Sequence, residues 1–298
     1  MLMAMEFQRY LEGQGRAKNT VQGYLVDMGQ FAGWFAATNG EALTPEGLTP
    51  IDVRLYRQYM QAEKARPATV NRRLAALRAF GSMLEGAGLA PANPAREVKG
   101  LKEQAGAPRW LDKRDQARLV RELERTVNAA HTDPARRQAA RDRAVCLLML
   151  NAGLRVGEVC ALEAGDLDMG PRKGRLLVRG GKGGKDRRLP LNATARAALE
   201  AWLKTRGEGG GEAVFLGQRG EALTARAVER RLEEIGRRAG IDATPHTLRH
   251  SFAKNLVDAG VTLEKVAMLL GHERLDTTRR YITPGEEDLA RAVELLDL

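Results

Sequence analysis

The sequence predicts two domains, both mainly α-helical, with a small β-sheet in the second domain only, an α+β class overall. A length of 298 residues suits two folding units better than one. Apolar residues recur at helical spacing through residues 1–90, whereas two short strand-like runs occur only near residues 175–191. A segment rich in proline and glycine interrupts the helical patterns between them. We therefore expect domains at 1–92 and 110–298, joined by a linker at 93–109.

The balance of charge favours a polyanionic partner. The chain has 48 Lys and Arg residues against 38 Asp and Glu residues, a net charge of +10, and both halves carry a basic surplus. A basic protein without such a partner is about as consistent with the charge alone. Two cysteines do not make a disulfide framework, and no apolar run reaches the roughly 18 residues of a membrane span. We therefore expect a cytoplasmic protein that does not interact with a membrane.

The helices of the first domain supply the first candidate contacts with such a partner. Residues 18–20 cap an apolar stripe of helical spacing, and a second helix begins at Thr49 and Pro50. A third helix follows Thr69 and carries basic residues outside its apolar face. A four-helix module with one basic edge is typical of a domain that binds a DNA groove, although a solvated charged face is about as consistent. The candidate DNA-binding residues here are Lys18, Thr69, Asn71, Arg72 and Arg73.

A helix start in the second domain carries the first candidate phosphate ligand. Asn151–Gly153 ends an apolar helix, and the next helix begins at Leu154, which puts Arg155 in its first turn. Free N–H groups and the helix dipole favour an anion at this position. Glu158 lies three residues further on, so it can sit beside Arg155 and hold its guanidinium group. A surface ion pair at this spacing is the alternative.

A hairpin with a glycine-rich loop follows. Its predicted strands are residues 175–179 and 186–191, and four glycines surround Lys182 in the loop. The loop is not a nucleotide-binding P-loop, because its spacing differs, no Ser or Thr follows the lysine, and strands flank it on both sides. We expect a mobile tip that can bring the Lys182 ammonium group to a substrate.

A later helix is unusually rich in arginine. It is predicted to begin after Thr224, and it contains more arginine than a solvated face requires. Phosphate contact is therefore favoured, with Arg226 and Arg230 as the candidate DNA-binding residues of the second domain.

Three of the four histidines lie close to an arginine and a tyrosine near the end of the sequence. A free phenol has a pKa near 10, so a tyrosine attacks only if a group accepts its proton and the phosphate charge is neutralised. Arginine neutralises phosphate best, because its planar fork binds two oxygens at once. Arg155 and Arg249 are suited to that task, and His246 lies one helical turn from Arg249. Lys182 can protonate the leaving alkoxide.

A zinc helix is the alternative for His246 and His250, which are four residues apart. It is rejected because Thr247 stands where a metalloprotease helix carries glutamate, and no Cys/His cluster supplies further ligands. His250 is expected to pack behind the site. We predict neither a metal nor a cofactor.

These segments together resemble the tyrosine recombinase (phage integrase) family. The matching stretches are Ala-Gly-Leu-Arg-Val-Gly-Glu at 152–158, Gly-Lys-Gly-Gly-Lys at 181–185, Pro-His-Thr-Leu-Arg-His-Ser-Phe-Ala at 245–253, Leu-Leu-Gly-His at 269–272 and Thr-Thr-Arg-Arg-Tyr at 277–281. By that resemblance the second domain is the catalytic domain, with six catalytic positions at Arg155, Lys182, His246, Arg249, His272 and Tyr281 and a supporting acid at Glu158. Residues 19–24 and 69–80 are similar to the family's N-terminal core-binding (SAM-like) domain.

The resemblance implies a mechanism and an assembly. Tyr281 attacks a DNA phosphate, forms a 3′-phosphotyrosyl link and releases a 5′-hydroxyl, and the reverse step with another strand exchanges strands through a Holliday junction. Four protomers act on two specific double-stranded sites, with a second recombinase as a possible partner. The short helix predicted by Thr283–Glu286 would dock on its own domain or on a neighbouring protomer.

Other interpretations stay open at this point. One is an architectural or regulatory DNA-binding relative without catalysis, and another is a nicking-closing enzyme similar to a topoisomerase. The segment Tyr281–Pro284 lacks the Tyr-Thr-His pattern that is usual in Xer-type resolvases. Both an Xer-like recombinase and a mobile-element integrase are therefore possible, and integration, excision and dimer resolution are not distinguished.

Overall fold

The computed structural model describes residues 2–102, 109–170, 172–180, 186–207, 211–272 and 275–279. The chain forms two compact units that divide between Ala105 and Gly106. Helices dominate both units, and the described residues contain one sheet, of three strands, in the second unit. The predicted fold class is confirmed. Among the described helices, none has the length and apolar character that crossing a membrane requires.

Four helices build the first unit. They are α1 (Leu2–Gly13), α2 (Lys18–Asn39), α3 (Pro50–Ala62) and α4 (Pro67–Gly86). The apolar face predicted for α4 is buried, and its residues pack with aromatic side chains of the other three helices, including Phe7, Phe31 and Tyr56. Thr49 caps α3 and exchanges hydrogen bonds with Asp52, as a capping box does. The first helical residue of α2 is Lys18, so residues 18–20 form its first turn and Ala17 is the capping residue.

The segment that follows α4 packs onto this unit. Ala95 is 1% exposed and Val98 is 4% exposed, and both belong to the apolar core of the four helices. The Asn93 amide donates to the Arg78 carbonyl (2.8 Å), and the Arg78 guanidinium donates to the Val98 carbonyl (2.6 Å). Residues 93–98 of the predicted linker therefore pack on the first unit. Prolines and glycines prevent a helix here, but they do not prevent the chain from burying apolar side chains.

The second unit is organised around a long buried helix. Its helices are α5 (Lys113–Asn128), α6 (Asp133–Ala152), α7 (Val156–Cys160), α8 (Ala193–Arg206), α9 (Ala225–Ala239), α10 (Pro245–Asp258), α11 (Leu263–Leu270) and α12 (Asp276–Arg279). Residues 144–150 of α6 are all buried, as their apolar run predicted. Helix α6 packs against α5, α8 and α10, so the C-terminal end of α6 is held firmly beside α10.

The sheet is an antiparallel meander of β1 (Leu167–Met169), β2 (Gly174–Val178) and β3 (Arg187–Leu191). Strands β2 and β3 form the predicted hairpin, with Val178 paired to Arg187 next to the loop. Strand β1 was not predicted, because three residues are too few to show alternation. Along β3 the side chains of Leu189 and Leu191 face the core, while Arg188 and Pro190 are exposed. Arg187 belongs to the same face as the two leucines.

Candidate active site

The C-terminal end of α11 brings three arginine side chains together. Its last carbonyl groups have no donor within the helix and carry the negative end of the helix dipole, so they attract cations. The three contacts are Arg187 Nε to the Leu269 carbonyl (3.2 Å), Arg249 Nη2 to the Leu270 carbonyl (2.6 Å) and Arg155 Nη2 to the Gly271 carbonyl (3.2 Å). Three guanidinium groups from β3, α10 and the start of α7 therefore meet at three consecutive residues.

Glu158 is the acid at the centre of this cluster. Its carboxylate accepts from Arg155 Nη1 (2.7 Å) and from both terminal nitrogens of Arg187 (2.9 and 2.8 Å). Arg249 Nη1 lies 3.9 Å from Glu158 Oε2. Burial opposes ionisation, but the hydrogen bonds from Arg187 and from Arg155 outweigh it and hold the pKa of the Glu158 carboxyl below its usual value. Glu158 is thus a carboxylate that holds guanidinium groups in place, beside Arg155 as the spacing predicted.

Arg249 forms the buried floor of the cluster. Its side chain is 6% exposed, and Nη1 donates to the Gly153 carbonyl (2.5 Å) at the end of α6. Gly153 has a φ of +66°, and a Cβ atom there would lie 2.3 Å from the ring of Phe252. Only glycine therefore lets α6 end this close to α10. Arg155 is more accessible, with 33% of its side chain exposed.

His272 is held through both ring nitrogens. Nε2 lies 3.2 Å from Arg249 Nη2, and Nδ1 lies 2.9 Å from the hydroxyl of Thr278 on α12. A guanidinium group can only donate, so Nε2 accepts and the ring proton is on Nδ1, which donates to Thr278. Burial, with the positive charges of Arg249 and Arg155, lowers the pKa of His272 to about 4. His272 is therefore a neutral imidazole at neutral pH.

The two histidines of α10 occupy its accessible side. His246 is exposed in the first turn of the helix, and His250 is half-buried one turn later, with 6.2 Å between the ring centroids. Arg249 is buried, so the helical turn that separates His246 from Arg249 places them at different depths. His246 is thus the more exposed of the two rings, and His250 lies beside it on the same side of α10.

Two predicted site residues, Lys182 and Tyr281, lie outside the described residues. Their described neighbours in the sequence are part of the cluster or next to it. Gly180 N–H donates to Asp186 Oδ1 (2.9 Å) across the base of the Lys182 loop, and Arg187 follows immediately. Thr278, which contacts His272, precedes Tyr281 by three residues.

Three predicted DNA-binding residues of the first unit have partners within that unit. The Asn71 amide donates to the Leu101 carbonyl (2.9 Å) and accepts from the Leu101 N–H (2.7 Å). Arg72 and Arg73 lie 2.5 and 3.8 Å from the carboxylate of Asp27, which is 2% exposed. Burial raises the pKa of the Asp27 carboxyl, and the two arginine charges oppose that rise. These three side chains stabilise the unit, whatever further contacts they make.

The remaining predicted DNA-binding residues differ in accessibility. Lys18 is exposed at the start of α2, and Thr69 is half-buried in the first turn of α4. Arg226 and Arg230 are exposed on α9. By contrast, Arg231 and Arg238 of the same helix pair with Asp142 (2.8 Å) and Glu122 (3.1 Å). The arginines of α9 therefore include some that form ion pairs within the unit and some that are exposed at its surface.

Arg187 is the site residue that the sequence analysis missed. The strand around it was predicted, but no role was given to its side chain. A signal was present, because a period of two places Arg187 on the same side as Leu189 and Leu191. An arginine on the buried face of a strand requires a fixed acidic partner, and Glu158 is that partner.

Comparison with known families agrees with this architecture. Residues 117–287 match the phage integrase family, and residues 4–88 match the phage integrase N-terminal SAM-like domain. The order of domains expected from the sequence is thus confirmed, with a SAM-like domain first and an integrase domain second.

Individual relatives are similar along nearly the whole chain. The tyrosine recombinase XerC of Myxococcus xanthus is 33% identical over 300 residues, covering 97% of this chain and 95% of the relative. The tyrosine recombinase XerA of Pyrococcus furiosus is 31% identical over 297 residues, covering 98% and 93%. The crystal structure of XerH site-specific recombinase bound to palindromic difH substrate has the same fold, with a TM-score of 0.72 at 22% identity, covering 94% of this chain and 80% of that one.

The two family matches and the similarity to XerC and XerA along nearly the whole chain identify the class as DNA recombinases. The chain belongs to the phage integrase family. It is an enzyme, a site-specific tyrosine recombinase.

Proposed function

We propose that this recombinase breaks and rejoins DNA through Tyr281. The phenol oxygen forms a bond to the scissile phosphorus, the bond from phosphorus to the 5′-oxygen breaks, and a 3′-phosphotyrosyl link results. The phenol proton leaves to a base, and the 5′-oxygen takes up a proton. The observation that carries this proposal is the convergence of Arg155, Arg249 and His272, from distant parts of the sequence, at the end of α11.

The charge of the cluster suits the transition state of that reaction. Three guanidinium groups and the Glu158 carboxylate leave two positive charges, because His272 is neutral. A phosphodiester carries one negative charge, and attack by a phenolate raises it to two. Fixed charges that match the transition state better than the ground state accelerate the reaction. Arg155 and Arg249 would bind the two non-bridging oxygens.

We assign the two proton transfers to His246 and Lys182. His246 is exposed at the start of α10, so we assign it the phenol proton of Tyr281. Lys182, in the hairpin loop just before Arg187, would protonate the leaving 5′-oxygen. His272 has both nitrogens engaged and would orient Arg249 and Thr278 during attack.

Trapping the covalent intermediate tests this function. The target is found first, by sequencing genomic fragments that stay attached to the protein after denaturation. A duplex of that target is then nicked beside the cleavage position. Cleavage of this duplex releases a short strand, and its loss prevents religation. We expect a denaturation-resistant adduct with the natural protein and with Tyr59→Phe, whose phenol is exposed in the first unit.

We expect Tyr281→Phe to bind the same duplex and to form no adduct, because only the attacking oxygen is lost. An adduct with Tyr281→Phe would assign the attack to another residue. Relaxation of supercoiled DNA without strand exchange would favour the nicking-closing alternative.

Strand exchange also sets the number of protomers. Each protomer has one Tyr281, and exchange between two duplexes breaks four strands. We therefore propose four protomers on two specific double-stranded sites. A Holliday junction would form between the first and the second round of strand exchange. Deletion of residues 286–298, which lie outside the described residues, should leave one-site binding intact and weaken pairing of two sites in native gels. Unfolding of the truncated protein would instead place that segment in its own core.

The DNA contacts proposed outside the cluster are the exposed residues. Lys18 in the first unit and Arg226 and Arg230 in the second are accessible to phosphate. Each phosphate contact releases counterions, so each Lys or Arg removed should reduce the slope of log affinity against log salt by about 0.9. An unchanged slope would show that the substituted residue does not contact DNA phosphate. Because the substrate is DNA, we place the activity in the cytoplasm. A second recombinase as partner would be tested by mixing the two proteins with the target DNA.

A further inference from the structure

Arg187 is fixed more completely than a surface arginine. Its side chain is 12% exposed, and three of its nitrogens have defined acceptors, namely the Leu269 carbonyl and the two oxygens of Glu158. Two parallel hydrogen bonds to one carboxylate are the strongest geometry available to an arginine. A strand, a helix end and the acid beside Arg155 are therefore joined through one guanidinium group.

Glu158 would compete with the substrate if Arg187 were absent. Its carboxylate is 10% exposed, so little water is available to satisfy it. Arg155 now gives it one nitrogen of its side chain and places another on the Gly271 carbonyl. Without Arg187, Glu158 Oε1 would keep one donor, Arg155 Nη1 (2.7 Å), and Oε2 would keep one donor, the Arg155 backbone N–H (2.8 Å). The Arg155 side chain would then turn to donate to both oxygens itself. Its charge would then be directed at Glu158 and away from a phosphate.

Gly271 leaves the space that the Arg187 guanidinium group occupies. Gly271 has a φ of +64°, and a Cβ atom there would lie 3.0 Å from Arg187 Nη1 and 3.1 Å from Cζ. The absence of a side chain at position 271 lets the guanidinium group approach the end of α11. The same glycine carbonyl accepts from Arg155, so both arginines are aligned by one turn of backbone.

We propose that Arg187 is a positioning residue, which neutralises Glu158 so that the Arg155 guanidinium stays aimed at the scissile phosphate. The inference rests on the proposed function of Tyr281 and Arg155. Arg187 touches neither substrate nor reacting atoms, and it acts through Glu158 and Arg155.

The test compares variants of two adjacent arginines on β3. Arg187→Met keeps an unbranched side chain, although a shorter one, and removes the charge and the donors. Arg188→Met makes the same change on the exposed face of the strand. Cleavage of the nicked duplex is measured in a single turnover at saturating protein, and affinity is measured separately. We expect Arg187→Met to cleave about 100-fold more slowly, because a small displacement of a reacting group costs about that much. Affinity should change less than about threefold, and Arg188→Met should cleave normally.

A second background separates positioning from a purely structural role. Glu158→Gln removes the carboxylate that Arg187 is proposed to neutralise, so Arg187→Met should cost less than about threefold in that background. Equal losses in both backgrounds would mean that Arg187 only anchors the strand, and would overturn the inference. Arg187→Lys keeps the charge without the fork and should fall in between, which gives an answer even if Arg187→Met folds poorly by circular dichroism.

The two proposals fail in different ways. If the natural protein forms no adduct that depends on Tyr281, the proposed function is wrong. If it forms that adduct and Arg187→Met cleaves at the natural rate, only the role of Arg187 is wrong.

Discussion

The contact between His272 and Thr278 allows a sharp test of how the proposed nucleophile, Tyr281, is placed. Thr278 is fully buried, and its hydroxyl accepts the His272 Nδ1 proton at 2.9 Å. Helix α12 has four residues, too few to be stable without tertiary contacts. Its last residue, Arg279, precedes Tyr281 by two positions in the sequence. Thr278→Val keeps the shape of the side chain and replaces the hydroxyl by a methyl group, which leaves a buried N–H donor without an acceptor.

The expected loss follows from that donor. A buried unsatisfied group costs about 1–3 kcal/mol, so the docked position of α12 should become about 5- to 150-fold less favourable. We expect cleavage of the nicked duplex by Thr278→Val to slow within that range at saturating protein, while affinity for DNA stays within about twofold. Thr278→Ser keeps the hydroxyl and should cleave at close to the natural rate.

Two outcomes would refute this reasoning. A Thr278→Val variant that cleaves normally would show that docking of α12 does not limit attack. A Thr278→Ser variant that is slowed as much as Thr278→Val would attribute the loss to the missing methyl group of Thr278 and its packing.

Four further predictions follow from the structure, the last of which concerns Glu158. Lys182→Ala should cleave DNA with a 5′-bridging sulfur nearly normally and ordinary DNA poorly, because a thiolate leaves without a proton; equal impairment would move the acid to Lys185. Asn71→Ala removes both hydrogen bonds to the Leu101 backbone, so it should lower the free energy of unfolding in urea by about 1–3 kcal/mol. The salt dependence of DNA binding should not change, and a change in it would support a DNA contact by Asn71. His272 has its pKa lowered to about 4, so the stability it contributes is present above its unfolded pKa near 6.5 and is lost as pH falls toward 4. The difference in unfolding free energy between the natural protein and His272→Gln should therefore shrink over that interval. A difference independent of pH would show that His272 is not buried as a neutral ring.

Glu158 has its own pH dependence. Its folded pKa lies below the ordinary value of 4.5, so the stability it contributes is present above that value and is lost as pH falls through the lowered pKa. Glu158→Gln should therefore unfold at lower urea concentrations than the natural protein at pH 7, and the difference should diminish below about pH 4.5. A difference that persists unchanged at low pH would contradict the pairing of an ionised Glu158 with Arg187 and Arg155.

Local patterns were enough to predict much of the structure. The helix that starts at Thr49 and Pro50, the buried run of α6 and the hairpin around the Lys182 loop follow from spacings of two to four residues. The neighbouring positions of Arg155 and Glu158 follow from the same geometry, since residues three apart lie side by side on a helix. Strand β1 was missed because three residues carry too little pattern.

The sequence by itself determined the main types of secondary structure, the order of the two domains and the residue types of the candidate active site, because these depend on local spacing and side-chain chemistry. Only the tertiary structure decided which partners the arginines have. Arg187 meets a carbonyl 82 residues away and Arg249 meets one 96 residues away, and such contacts depend on how helix ends and strands pack. The same holds for residues 93–101, which were predicted as linker because they belong to a segment rich in proline and glycine. Their Ala95 and Val98 side chains are buried in the core of the first unit. A local pattern shows that a segment is irregular, and the packing of the whole unit decides whether that segment is buried.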